Sequence, residues 1–166
     1  GVAGTEAIKK GLSSGAHVNV LDISQNKLNE LEKSFGTENI SYIISNTDSI
    51  SHAISKSDLV IGSVYVVGKE APKVITKDML KVMKPGSVLV DISIDQGGCV
   101  ETSKPTTHDN PIFIEDDVVH YCVTNMPGAV PLTASLALNQ ATLPYIEKIA
   151  DLGLSQALKE DLHLAN

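Results

Sequence analysis

Short runs of Val, Ile and Leu recur along this chain between polar segments: His17 to Leu21, Ile40 to Ile44, Leu59 to Ile61, Ser87 to Asp91 and Val118 to Val123. Runs this short, dominated by β-branched residues, predict strands buried on both faces. Between them the period changes to that of a helix. Thr5 to Leu12 and Ser24 to Phe35 have helical spacing, the second with Leu28, Leu31 and Phe35 on one face, and Thr76 to Met83 opens on a hydroxyl residue at the N-cap position. Strand alternating with helix favours a parallel sheet, because a parallel pair needs a crossover and the crossover is usually helical. The expected fold class is therefore α/β, a doubly wound parallel sheet with helices on both faces.

Two stretches break the alternation. Residues Ile92 to Pro111 hold the Gly97-Gly98 pair, two prolines and several Thr, Asp and Asn, which is too long and polar for a simple connection and predicts a functional loop. Leu132 to Leu152 carries helix-forming Leu and Ala through to Ile149, with Pro144 near the middle and Gly153 at the end. That pattern predicts a long helix kinked or broken just before Pro144. The chain accordingly reads as a nucleotide-binding part over 1–131 followed by C-terminal helices over 132–166.

With 166 residues, 42% of them apolar, the chain can bury one core and is short for two ordinary domains. Its formal charge is −7, it has no Lys/Arg cluster, and aromatic residues make up only 4%. An electrostatic footprint for nucleic acid or acidic lipid is thus missing, and a small molecule is the expected partner. Cys99 and Cys122 lack metal-ligand spacing and suit a reducing compartment. No run reaches the roughly 18 apolar residues of a membrane span. We expect a soluble, cytoplasmic protein. His108 beside Asp109, and His120 near Cys122, have no second pair at ligand spacing, so no metal site is expected.

The chemistry begins at the first residues. Gly1-Val2-Ala3-Gly4 precedes a helical segment, and Gly1 and Gly4 have the spacing of the last two glycines of G-x-G-x-x-G. In that fingerprint one glycine lets the backbone approach a pyrophosphate and the next lets the helix pack closely on its strand. The helix would aim unpaired N–H groups and the positive end of its dipole at the phosphates. Asp22, after the run His17 to Leu21, stands where an acid should bind the adenosine ribose and repel a 2′-phosphate, so NAD is expected rather than NADP. Ser24 is expected to cap its helix, with Lys27 one turn in reaching toward the ribose edge. On this reading the sheet is of Rossmann type and its central first strand lies before Gly1, so the sheet should be split and expose two unpaired strand edges. A chain that opens on Gly1 rather than Met is then expected to continue upstream.

Later segments are more specific. Asp58-Leu59-Val60-Ile61-Gly62, Ala71-Pro72-Lys73, Met83 to Asp91 (MKPGSVLVD), Ile94-Asp95-Gln96-Gly97-Gly98-Cys99, Pro105-Thr106-Thr107 and Asn125 to Pro131 (NMPGAVP), taken in order with the opening glycines, resemble alanine dehydrogenase along nearly the whole chain. The nicotinamide nucleotide transhydrogenase domain is similar through Lys84-Pro85-Gly86-Ser87 but differs around Asp95-Gln96 and Asn125-Met126-Pro127.

The resemblance implies oxidative deamination of L-alanine by NAD to pyruvate and ammonia, and the reverse. It implies a homo-oligomer, hexameric in the family. It also implies an N-terminal catalytic domain, outside this sequence, that supplies a lysine and a histidine, so that this chain alone should be inactive. Carried over by position, Asp95 is the expected catalytic residue, a carboxylate that stabilises a cationic amine or iminium and positions water. Asn125 and Met126 match positions lining the nicotinamide and substrate pocket, Asn125 offering a donor and an acceptor to substrate and cofactor. Ser63, Val64 and the Gly68 to Ala71 loop match the segment along the cofactor, Ile92 opens the Asp95 loop beside it, and Ser45 and Asn46 flank the adenine. The alternatives are a transhydrogenase domain and a non-catalytic module that senses NAD(H).

Overall fold

The computed structural model describes residues 1–66 and 68–165. These residues form two compact units, one over Gly1–Thr124 and one from Asn125 onward. Val67 and Asn166, which fall inside the two stretches expected from the sequence, lie outside the described residues.

The first unit alternates helix and strand. Helix α1 (Val2–Ser13) leads into strand β1 (Val18–Asp22), followed by α2 (Gln25–Phe35), β2 (Ile40–Ile44), α3 (Thr47–Ile54), β3 (Leu59–Gly62), α4 (Lys77–Leu80) and β4 (Val88–Asp91). A 3₁₀ turn over Ile92–Gln96 and the strands β5 (Ile112–Glu115) and β6 (Val118–Tyr121) complete it. β1 pairs only with β2, in parallel, Val18 lying opposite Ile40 and Asp22 opposite Ile44. A second sheet has the order β3-β4-β6-β5, parallel except for the β5–β6 pair. The expected split is therefore present: β1 and β3 are both edge strands, and on β3 Leu59 is 53% and Ile61 40% exposed. The core of the larger sheet gathers Leu80, Leu89, Val100 and Val118, all 1% exposed or less.

Local chemistry explains most boundaries. Ser24 caps α2 by accepting from the Lys27 N–H, Gly36 at φ 72° ends it in a conformation other residues enter at a cost, and Leu28 fills its buried face. α1 starts at Val2, earlier than the periodicity indicates. The stretch from Thr76 to Met83 keeps only four regular residues as α4. Thr76 sits at its N-cap without a side-chain cap bond; the Lys77 N–H donates instead to Glu101 at 2.7 Å. α3 and β5 were not evident from the sequence. The first is opened by a reciprocal cap between Asn46 and Ser49, and the second is a short strand that depends on β6 for its hydrogen bonds.

In the second unit a 3₁₀ turn (Met126–Ala129) precedes α5 (Pro131–Leu152), α6 (Leu154–Glu160) and α7 (Leu162–Ala165). α5 runs unbroken through Pro144, where a break was expected. The proline withdraws one N–H from the ladder, and the 22-residue helix keeps its bonds on either side. Lys148 and Asp161, 3.2 Å apart, tie α5 to the α6–α7 junction.

Candidate active site at the carboxyl ends of the strands

In an open α/β sheet, ligands sit beyond the carboxyl ends of the strands. The expected site residues of the first unit cluster there. Gly1, Val2 and Ala3 at the start of α1, Ser63 and Val64 just after β3, and Ile92 just after β4 line one cavity of about 390 Å³, together with Tyr65, Ser93 and Gln96. Gly4 faces Ser63 so closely that a Cβ there would come within 2.9 Å of the Ser63 Oγ. This is the tight helix–strand packing that the second glycine of the fingerprint was expected to allow. The N-terminus of α1 has no side-chain cap, so its first N–H groups belong to the cavity mouth rather than to a capping residue.

A second cavity, also about 390 Å³, is lined by Gly68, Lys69, Glu70, Asp95, Gln96 and Gly97. Asp95 is exposed in the first turn of the 3₁₀ segment. Gln96 lines both cavities, and its Oε1 is buried without a hydrogen-bond partner among the described residues. Sequence reasoning did not single out Gln96; its position between two exposed neighbours in a Gly-rich loop gave no sign of an orphaned acceptor.

The Asp95 loop is held from several sides. Ser93 Oγ donates to Val64 O at 2.8 Å, joining the exits of β3 and β4. The Ala71 N–H donates to Gln96 O at 2.9 Å, and Lys73 Nζ donates to the carbonyls of Gly97 and Gly98. Gly97 (φ 86°) and Gly98 (φ 77°) both occupy left-handed backbone, which explains the glycine pair directly.

The other expected residues have local partners. Asp22 ends β1, half-buried, and its Oδ1 accepts from the Ser24 N–H at 2.8 Å. Lys27 is exposed on the first turn of α2. The Ser45 N–H donates to Asp22 O at 3.0 Å, placing the exits of β1 and β2 side by side. Asn46 is engaged in capping α3, accepting from the Ser49 N–H at 2.8 Å. Asn125 and Met126 open the second unit, Asn125 in left-handed backbone at φ 54°.

Other groups have structural employment. Both ring nitrogens of His120 are hydrogen-bonded, Nε2 to the Thr102 hydroxyl at 2.8 Å and Nδ1 to Val118 O at 3.0 Å, and the ring stacks on Phe113. Among the described residues no three His, Cys, Asp or Glu side chains gather as a metal site. The Cys99 thiol is pushed up to about 12, first by burial and then by the negative charge of Asp91. Burial likewise raises Cys122. Neither thiol is a ready nucleophile. No described helix is long and apolar enough to cross a membrane.

Known proteins share this architecture. The model of the alanine dehydrogenase/PNT C-terminal domain matches residues 1–166. An alanine dehydrogenase of Halomonas elongata is 52% identical over 165 residues, covering 99% of this chain and 44% of the relative. One from Staphylococcus haemolyticus is 51% identical over 160 residues, covering 96% and 43%. A solved L-alanine dehydrogenase superposes with a TM-score of 0.89 at 47% identity, over 99% of this chain and 45% of that one. A transhydrogenase from Sinorhizobium meliloti superposes less closely, with a TM-score of 0.77 at 27% identity over 90% of this chain and 42% of that one. This chain thus spans less than half the length of the relatives it matches. An uncapped helix N-terminus against β3, a Gly-rich loop after β4 and an orphaned acceptor between them suit the nicotinamide nucleotide that such a domain implies, and the chain belongs to the alanine dehydrogenase/PNT C-terminal domain family.

Proposed function

We propose that this chain is the NAD-binding part of an alanine dehydrogenase, which converts L-alanine, NAD and water to pyruvate, ammonia and NADH and runs the reverse amination. The observation that carries this reading is the adjacency of two cavities through Gln96, one under the N-terminus of α1 and the other holding the exposed carboxylate of Asp95.

The α1 N-terminus would hold the diphosphate on Gly1 to Gly4, Asp22 would accept from the adenosine ribose with Lys27 nearby, and Ser45 and Asn46 would border the adenine. Ser63, Val64 and Ile92 would flank the nicotinamide half. The bound nicotinamide supplies the hydride acceptor. Asp95 stabilises positive charge on the substrate nitrogen and orients the water that attacks the iminium carbon. Asn125 and Met126 bear on the nicotinamide and the substrate. The Asp95 loop and the high identity to alanine dehydrogenases favour this reading over a transhydrogenase domain or a non-catalytic NAD sensor. The two separate thiols suit a reducing cytoplasm, and the intact protein is a homo-oligomer on the family's pattern.

The test is turnover of L-alanine by the intact protein, followed by absorbance of the reduced nucleotide. Asp95→Asn should lower kcat by about a hundredfold or more while NADH still binds. Hydride exchange between two nucleotides without alanine turnover would establish the transhydrogenase reading instead, and nucleotide binding without either reaction would establish the sensor.

A further inference from the structure

Asp91, the last residue of β4, is completely buried. A carboxylate in that position is costly unless donors surround it. Every hydrogen-bond partner it has among the described residues is a donor. Oδ1 accepts from the Ser93 N–H at 3.0 Å and from the Cys99 thiol at 3.4 Å. Oδ2 accepts from the Cys99 N–H at 2.9 Å, the Val100 N–H at 3.2 Å and the Ser103 hydroxyl at 2.6 Å. Ser93 opens the 3₁₀ turn and Cys99 follows the glycine pair, so one carboxylate fastens both ends of the loop that carries Asp95.

The surroundings leave no slack. A Cβ on Gly98 would lie 2.8 Å from Asp91 Oδ2 and 3.0 Å from Ser103 Cβ. A Cβ on Gly62 would collide with the Cys99 Sγ. An amide cannot replace the carboxylate on equal terms, because its NH₂ would face N–H groups that themselves need an acceptor.

We propose that Asp91 is a positioning residue: by closing the 93–99 loop into a ring on a single buried carboxylate, it fixes where Asp95 stands relative to the substrate. This rests on the reading of Asp95 as the catalytic carboxylate. Asp91 touches neither substrate nor cofactor and acts only through the loop. A misplacement of about 1 Å can slow a positioned reaction by about a hundredfold.

The experiment is a double-mutant cycle in the intact protein, with rates normalised to NADH-binding sites and the primary isotope effect from alanine deuterated at its α-carbon. Asp91→Asn should lower kcat by about tenfold or more and raise the isotope effect, with KM for NAD changed less than about threefold. In an Asp95→Asn background the same substitution should change kcat by less than about threefold, because the group it positions is already gone. A general loss of folded enzyme would leave the isotope effect and KM unchanged. If Asp91→Asn does not fold, Ser103→Ala removes the shortest bond to the carboxylate and should show the same dependence on Asp95 with a smaller loss. Full kcat per site in the variant, or factors that multiply in the double mutant, would overturn the positioning role alone. Full activity of Asp95→Asn by itself would overturn the catalytic reading and this proposal together.

Discussion

Asp22 offers the sharpest separation of nucleotide recognition from folding. It closes β1 half-buried, with Oδ1 committed to the Ser24 N–H at 2.8 Å, so Asp22→Ala removes both a ribose acceptor and a brace at the entry to α2. The brace is worth about 1 kcal/mol, by analogy with a lost helix cap, and its loss weakens any nucleotide equally. The acceptor term differs between nucleotides. Hydrogen bonds to a carboxylate contribute about 1.5–3 kcal/mol, so NAD should bind roughly tenfold to a hundredfold more weakly. A 2′-phosphate would instead feel repulsion from Asp22 of about 1–4 kcal/mol at a separation of about 4 Å, and the alanine abolishes it. NADP should therefore bind as well as before or more tightly. Calorimetric titration of the intact protein with each nucleotide checks this. Equal weakening of both would show that Asp22 serves only α2, and unchanged NAD affinity would remove it from the site.

Two further predictions concern the packing under the Asp95 loop. Gly62→Ala drives a methyl into the fully buried Cys99 Sγ and should destabilise by about 1–3 kcal/mol. Adding Cys99→Ala should restore part of that loss, and strictly additive shifts in thermal or urea unfolding would refute the contact. The Cys99 thiol, raised to about 12 from an ordinary value of 9.0, keeps its proton in the folded state after the unfolded chain has lost it. Its contribution is complete below about pH 9 and falls by about 1.4 kcal/mol per pH unit above that, until the folded thiol itself ionises. Cys99→Ala should flatten the alkaline decline in stability, and an unchanged slope in urea unfolding above pH 9 would contradict the assignment.

Much of the fold was legible because it is written locally. Val- and Ile-rich runs located β1, β2, β3, β4 and β6, and Ser24 and Gly36 punctuated α2. The Gly97-Gly98 pair marked a loop whose backbone needs positive φ. What escaped depends on distant partners. α3 begins with a polar Asn-Thr-Asp-Ser sequence that reads as a turn until Asn46 and Ser49 are seen to cap each other. β5 is four residues that owe their extension to β6. Asp91 looked like the end of a strand; its role as an anchor appears only once Cys99, Val100 and Ser103 fold back onto it. The glycine fingerprint and Asp22 were visible as spacing, and the chain folds them to strand exits, whereas Gln96 is distinguished only by the burial of one oxygen.

The seating of α1 couples distant points on the protein. Gly4 lies against Ser63 at one end of the helix, and at the other a Cβ on Gly11 would come within 3.0 Å of Val18, so bare backbone meets β3's exit and β1's entry along a single rod. A stiff helix supported at both ends behaves as a lever. Any side chain grown at Gly11 must tilt it, and the amides at the opposite tip swing with it. A defect two turns from the phosphates would then register as weaker nucleotide affinity, although it touches no atom of the ligand.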